Sequence, residues 1–110
     1  MSTTITIGRN VDGVPMSDID WAQFKLDVGV LLARHCGALV TSAEGHGVWE
    51  GETEQCYVAA TAESPADSGL DAYLDRAHGA FREDVRELSG MWLQEAIAVV
   101  IADTDLVGPA

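Results

Sequence analysis

The sequence is short of basic residues and of long apolar runs, and each shortage excludes a class of protein. Six Lys and Arg stand against 18 Asp and Glu, which gives a formal net charge of -12. Because phosphate contacts depend on Lys and Arg, we expect no direct binding to nucleic acid. No run of 18 apolar residues occurs, and the N-terminus lacks a basic segment followed by an apolar one. We therefore expect no membrane span and no export signal, and we predict a cytoplasmic protein.

Cysteine is also scarce, since the chain has only Cys36 and Cys56. Without an export signal a disulfide between them is not expected, and their apolar neighbours predict two buried thiols. Together with His35 and His46 they offer groups of the kind that bind zinc, but no C-x-x-C pair is present and the spacing differs from that of structural zinc sites. No nucleophile elbow or phosphate-binding loop occurs either. The sequence thus predicts no metal, no cofactor and no catalytic residue.

The composition indicates a single globular domain over residues 1–110, because 47% of the residues are hydrophobic and 22% are charged. Residues 3–7 alternate as a half-buried strand does. A helix is predicted over 18–35, with Ser17 as its N-cap and Gly37 as its C-terminal stop. Its apolar face has spacings of three and four and comprises Trp21, Phe24, Val28, Leu31 and His35.

The second half of the chain predicts a hairpin, a helix and a strand. Strands over 38–49 and 55–62 flank an acidic segment at 50–54, and the glycines at 45 and 47 predict an irregular hairpin. After a break at 64–69, one helix is predicted with a charged, solvated face that includes Arg76. Its apolar face comprises Leu70, Leu74, Ala77, Phe81, Val85 and Leu88. Residues 95–102 are apolar in both alternations, as in a central strand.

The order strand, helix, strand, strand, helix, strand predicts an α+β fold of the ferredoxin-like type. In this fold a four-stranded antiparallel sheet carries both helices on one face. The other face of the sheet needs a cover. Ile97, Val99 and Ile101 on one alternation and Ala98, Val100 and Ala102 on the other give the last strand two apolar faces. We therefore predict that the open face packs against a second copy of the chain or another protein. The expected assembly is a homodimer.

Three short segments occur in an order that is found in a known family. They are I-G-R-N at 7–10 followed by M-S-D-I-D-W-A-Q-F at 16–24, G-V-W-E-G at 47–51, and W-L-Q-E-A-I at 92–97. Together they resemble a family of small uncharacterised bacterial and phage proteins with a domain of unknown function, some of which are described as lipoproteins. The resemblance implies a shared fold over most of the chain and no established activity. The scarcity of Lys and the many Ala, Gly, Asp and Val residues are typical of high-GC actinobacteria and their phages.

Four residues form a candidate ligand site. Arg9 follows the first strand, His46 and Trp49 lie in the hairpin, and Glu95 begins the last strand. A base, an acid and an aromatic wall can hold a small polar ligand. The competing interpretation is structural, with an ion pair between Arg9 and Glu95 and with Trp49 covering the core.

The acidic middle of the chain indicates a surface that binds basic proteins. From His35 to Asp75 the sequence has eight acids and no Lys or Arg. We predict a non-enzymatic protein-interaction module, such as a phage accessory factor that binds a basic host protein in the host cytoplasm. Its predicted interaction surface comprises Glu44, Glu50, Glu52, Glu54, Ile97, Val99 and Ile101. The alternatives are a small-molecule-binding protein or cofactor-free enzyme with a pocket between sheet and helices, and a phage structural component.

Overall fold

The computed structural model describes residues 2–37, 39–62, 70–101 and 104–109, with the side chains of all of these except 49, 70–72 and 104. The helices are α1 (Asp18–Cys36), α2 (Leu70–His78) and α3 (Ala80–Met91). The strands are β1 (Thr4–Gly8), β2 (Asn10–Val11), β3 (Val14–Pro15), β4 (Val40–Trp49), β5 (Glu52–Thr61), β6 (Ile97–Val100) and β7 (Thr104–Val107). The predicted break at 64–69 lies outside the described residues. None of the described helices combines the length and the apolar character needed to cross a membrane.

Five strands form one antiparallel sheet in the order β4-β5-β1-β6-β7, and β2 and β3 form a separate small hairpin. The fold is α+β, as predicted, but the sheet has five strands rather than four. The additional strand is β7, in a segment that follows the last predicted strand. The last predicted strand stops at Val100, and the chain reverses so that Ile97 pairs with Val107. Because Val107 is buried, pairing with β6 extends the core and stabilises this edge strand.

The core lies between one face of the sheet and the helices. Side chains alternate along a strand, so β1 directs Ile5 and Ile7 to this face, and β6 directs Ile97 and Val99 there. The helices contribute Trp21, Phe24, Val28, Leu32, Phe81 and Val85. Ile97 and Val99 are each 1% exposed, and Ile101 is partly buried against the same core. The prediction that these three residues form an interaction surface is therefore wrong, and β6 presents Ala98 and Val100 to the open face instead.

The ends of α1 confirm the sequence prediction. Ser17 caps the helix, and its Oγ accepts a hydrogen bond from the Asp20 N–H at 3.2 Å. Gly37 ends it in the left-handed conformation with φ 57°, which a glycine adopts without steric cost. Near this end His35 packs edge-on against Phe81, as a packed histidine was predicted to do.

The second predicted helix is two helices in the structure. α2 ends at His78 and α3 begins at Ala80, with Gly79 as the N-cap of α3. A side-chain carbon at position 79 would lie 3.0 Å from the backbone oxygen of Asp75, so this close approach favours a glycine. Arg76, which was predicted to face solvent, is only 5% exposed. The charged face of this region is therefore not solvated throughout.

β4 and β5 form a regular hairpin where an irregular one was predicted. All ten residues of β4 pair with β5, from Val40 opposite Thr61 to Trp49 opposite Glu52. The turn is Glu50 and Gly51, whose φ angles of 50° and 81° suit a tight two-residue hairpin turn. Most of the predicted acidic loop at 50–54 is thus strand, and this register decides which side chains meet on the open face.

Candidate functional site

A cavity of about 470 Å³ lies on the open face of the sheet. The β2–β3 hairpin, the tip of the β4–β5 hairpin and residues 93–96 border it. Its floor consists of small residues on the open face, namely Gly8, Gly47, Cys56 and Ala98. Small side chains leave room above the sheet, and the volume falls in the range of small-molecule sites.

The cavity is lined by acids. The lining carboxylates belong to Asp12, Glu50, Glu52, Glu54 and Glu95, and the described lining residues include no Lys or Arg. Carboxylates without a nearby base attract cations and repel anions, so the site suits a positively charged ligand. In the part of the chain that the structure describes, no three His, Cys, Asp or Glu side chains converge as metal ligands do. The acids are distributed around the wall rather than gathered at one point.

Two backbone segments fix the carboxylate of Glu54. Its Oε2 accepts a hydrogen bond from the Asn10 N–H at 2.7 Å. A side-chain carbon at position 8 would lie 2.5 Å from Glu54 Oε1 and 2.7 Å from Oε2, so the carboxylate fills the space that Gly8 leaves. Glu54 is therefore held over the floor of the cavity before any ligand binds.

The β2–β3 hairpin forms one wall and is joined to the others by hydrogen bonds. Its turn residues Asp12 and Gly13 have φ angles of 50° and 78°, the conformation of a tight hairpin turn. Gln94 Nε2 donates to the Asn10 oxygen at 3.2 Å, which links the hairpin to the segment that carries Glu95. These contacts bring three acid-bearing segments together around one space.

Arg9 lies on the other face of the sheet and holds the start of α1. Its Nε donates to the Met16 oxygen at 2.7 Å, and its two terminal nitrogens donate to Gln55 Oε1 at 2.6 Å and Asp18 Oδ1 at 2.7 Å. The predicted ion pair between Arg9 and Glu95 is wrong, because these partners take the guanidinium on the helix side while Glu95 lines the cavity.

Of the four residues predicted to bind a ligand, the structure places Glu95 in the cavity wall and His46 elsewhere. His46 is exposed on β4 opposite Gln55, which puts it on the helix side of the sheet. The side chain of Trp49 lies outside the described part of the structure. Glu44, predicted to belong to the acidic interaction surface, forms an ion pair with Lys25 of α1. The other acids of that predicted surface line the cavity instead.

Sequence reasoning did not predict the positions of Gly8, Asn10 and Cys56 in the site. The available signal was the alternation of Glu52, Glu54 and Cys56, which places all three on one face of a regular strand. The three acids within residues 50–54 favour a loop over a strand, and this hides the alternation. The pairing of Gly8 with Cys56 then brings β1 beneath these side chains.

No protein-family model and no curated protein matches the chain. Two solved structures have a similar fold. One is a phage SAM lyase in complex with S-methyl-5'-thioadenosine, which is 18% identical with a TM-score of 0.59, and the match covers 96% of this chain and 87% of that chain. The other is a phage SAM lyase in the apo state, which is 21% identical with a TM-score of 0.56, covering 96% and 86%. At these identities the likeness establishes the fold alone.

Both neighbouring structures are of an enzyme, and this contradicts the prediction of a non-enzymatic interaction module. That prediction depended on the lack of a catalytic sequence motif. The carboxylates of the cavity come from β5, two hairpin turns and a loop, and such a site has no compact motif. The absence of a motif from the sequence therefore carries little weight.

Proposed function

We propose that the protein is an enzyme that binds S-adenosylmethionine (SAM) and releases S-methyl-5'-thioadenosine. The main support is that an acidic cavity lies on a fold similar to that of a phage SAM lyase, a similarity that covers 96% of the chain. The fold likeness suggests the reaction, and the five lining carboxylates supply an independent reason to expect a cationic substrate.

The charges of substrate and product support this assignment. SAM has a sulfonium, an ammonium and a carboxylate group, so its net charge is positive, whereas S-methyl-5'-thioadenosine is uncharged. A cavity with five acids and no base among its described lining residues therefore attracts the substrate more strongly than the product. Release of the neutral product follows from the same electrostatics.

The reaction breaks the bond between sulfur and the four-carbon amino acid group, and the bonding electrons go to sulfur, which becomes neutral. A lyase adds no water, so the four-carbon fragment must satisfy its own valence. It does so when its carboxylate displaces the sulfur to close a lactone, or when a base removes a proton from the neighbouring carbon. The first route needs only that the substrate be held in the right conformation. The second needs a proton acceptor, which the cavity offers in Glu54 and Glu95.

Glu54 is the acid whose position is best defined by the chain. The Asn10 N–H and the space above Gly8 hold its carboxylate over the cavity floor. We assign to it the binding of a cationic group of the substrate, since a preorganised carboxylate loses little entropy on binding. Glu95 faces the same space from the segment before β6.

The test is to incubate the purified protein with SAM and to measure S-methyl-5'-thioadenosine by liquid chromatography against a blank without protein. Glu54→Gln removes the charge and keeps the size, so it should weaken SAM binding by about tenfold or more. Glu44→Gln is the matched control, because Glu44 pairs with Lys25 outside the cavity. Product formation no faster than in the blank, together with no SAM binding by calorimetry, would overturn the proposal. The identity of the four-carbon product distinguishes lactone closure from proton removal.

The order of the strands also indicates the type of α+β fold. Without β7 the strand order β4-β5-β1-β6 is that of a ferredoxin-like sheet, so we infer a ferredoxin-like domain with one strand added at its edge. A phage origin is favoured by the phage source of the neighbouring structures, and we infer that the protein acts in the cytoplasm of the infected host.

We also propose that the protein is a homodimer, whose interface does not include the buried residues Ile97 and Val99. Beyond the cavity the open face continues as a surface of small and apolar residues that includes Val58, Ala60 and Val100. A second copy would bury this surface. Light scattering coupled to size exclusion at low and high salt tests the assembly, and a monomer mass at both salt concentrations would contradict it.

A further inference from the structure

A second cavity, of about 440 Å³, lies between α1 and α3 on the helix side of the molecule. Its floor is formed by Leu31 and Leu88, which are buried. Its walls are three large apolar side chains that remain in solvent, with Leu26 60%, Val30 53% and Met91 68% exposed. We call this cavity with its lining the α1–α3 groove. Exposed apolar side chains that lie together along a groove are typical of a docking site for a partner.

The rim of the groove is negative, and both helices contribute to it. Asp27 lies on α1, and Asp84 and Glu87 lie on α3, while Arg34 is the one base among the described lining residues. Arg34 is already engaged with Asp84 at 3.0 Å. Among the described contacts neither Glu87 nor Asp27 forms an ion pair, and Asp27 accepts hydrogen bonds from Trp92 and Gln23. The rim thus presents uncompensated negative charge on each side of an apolar floor.

The shape of the groove selects an elongated occupant. The α1 residues that line it extend from Gln23 to Arg34, about three helical turns or roughly 16 Å. A groove between two helices accepts the apolar face of a third helix, whose anchors recur every three or four residues.

The charge of the groove selects among possible occupants. In a second copy of the chain, five of the six bases pair with acids of their own chain and Arg76 is buried, so the described residues offer no free base to meet the acidic rim. An anionic membrane surface would be repelled by the rim. A basic helix has complementary charge, because its Lys and Arg can meet Asp27 and Glu87 while its apolar residues contact Leu26, Val30 and Met91.

We propose that the α1–α3 groove docks an amphipathic helix of a partner protein in which basic residues flank an apolar stripe. This goes beyond the proposed enzymatic function, because the groove lies on the helix side and the acidic cavity lies on the open face of the sheet. The two sites share no lining residue.

The probe is a synthetic helical peptide of about 14 residues made of Leu and Lys, with Leu at i, i+3, i+4 and i+7. A peptide of the same composition, reordered so that it has no apolar face, controls for simple attraction to an acidic protein. Binding is followed by nuclear magnetic resonance of the labelled protein at about 0.15 M salt. We expect the amphipathic peptide to shift resonances of α1 and α3 and to bind about tenfold more tightly than the reordered one.

Two variants locate the site. Val30→Lys and Met91→Lys each remove an apolar contact and place a positive charge that repels the Lys residues of the peptide, so each should weaken peptide binding by about tenfold, while leaving SAM turnover unchanged. Leu39→Lys is the matched control, since Leu39 is 73% exposed and lies outside the groove. Equal affinity for both peptides, shifts spread over the whole acidic surface, or unchanged binding by both groove variants would overturn the proposal. A dimer that Val30→Lys dissociates would assign the groove to a second copy, and would also overturn the proposal.

Discussion

The carboxylate of Glu54 occupies a space that only glycine at position 8 leaves free, and this predicts the effect of a single methyl group. In Gly8→Ala the new carbon would lie 2.5 Å from Glu54 Oε1, so the carboxylate must move. The side chain of Glu54 is flexible and half-buried, so the fold should tolerate the change within about 1 kcal/mol. SAM binding should weaken by about tenfold, because the preorganised carboxylate is lost.

Gly45→Ala is the control for this substitution. Gly45 lies on the same open face, opposite Cys56, and a side-chain carbon there would meet no atom within 4 Å. It should bind SAM as the parent protein does, measured by calorimetry. Equal SAM binding by Gly8→Ala and Gly45→Ala would show that SAM binding does not depend on the position of the Glu54 carboxylate above Gly8.

Cys36 gives a pH dependence of stability. Burial raises the pKa of its thiol above the ordinary value of 9.0, an effect that the nearby charge of Arg76 opposes. The unfolded chain therefore loses the thiol proton at lower pH than the folded protein does. Above pH 9.0 the free energy of unfolding should fall as pH rises, until the folded thiol also ionises.

Cys36→Ser removes this titration, so the stability of the variant should fall less steeply with pH than that of the parent protein. Urea unfolding from about pH 8 to pH 10.5 measures both slopes. Cys56→Ser controls for the loss of a thiol elsewhere. Parallel slopes for the parent protein and Cys36→Ser would contradict the assignment.

At this scale the sequence predicted chemical types better than positions. Glu95 was expected near a ligand and lines the cavity, but Arg9 was expected beside it and lies on the other face of the sheet. Adjacent residues of a strand point to opposite faces, so Arg9 lies on the same face as Ile7 and on the opposite face from Gly8. The sequence alone does not say which of these two faces the helices cover. The contact of Gly8 with Glu54 joins residues 46 positions apart, and it follows only from the register of β1 against β5.

The N-terminus of α1 is an element whose stability depends on one side chain. Ser17 Oγ accepts the Asp20 N–H, and Ser17→Ala leaves that donor without its partner in the helix. The expected loss in the free energy of unfolding is about 1 kcal/mol, measured by urea denaturation. Ser42→Ala on the exposed surface of β4 should change it by less than about 0.5 kcal/mol. A loss no larger for Ser17→Ala than for this control would mean that the cap contributes nothing.

In two places the sequence pattern does not determine which secondary structure forms. Apolar residues continue at helical spacing through residue 79, yet Gly79 separates α2 from α3, because a close approach to Asp75 is invisible to periodicity. Three of the five residues at 50–54 are acids, a composition that favours a loop over a strand. On an exposed strand such acids are acceptable on the solvated face, and the pairing of Glu52 with Trp49 forms the hairpin.

For the molecule as a whole, the orientation of β6 was the main ambiguity. Both alternations of residues 97–101 are apolar, so periodicity could not decide which one faces the helices. The structure buries the larger set, Ile97 and Val99, and leaves Ala98 and Val100 on the open face. Larger side chains fill a core more effectively, and the smaller ones leave space for the cavity beside them.

The net charge determines how the whole molecule responds to salt. With 18 acids and six bases, at least twelve acids remain without a base even if each base pairs once. The radius of gyration is 13.6 Å. At about 0.01 M salt the screening length is about 30 Å, so all of these charges repel one another, whereas at about 0.15 M it is about 8 Å. Since exposed ion pairs contribute little, we expect salt to relieve repulsion more than it weakens pairs, and to raise the urea midpoint.

Urea unfolding in sodium chloride at these two concentrations measures the effect, and choline chloride serves as the control. Choline screens charge without binding carboxylates closely, so an equal rise in both salts identifies long-range repulsion as the cause. A rise in sodium chloride alone would instead indicate sodium bound at the acids of the cavity. An unchanged or lower midpoint in both salts would mean that the ion pairs, such as Arg9 with Asp18, stabilise the fold more than the surplus acids destabilise it.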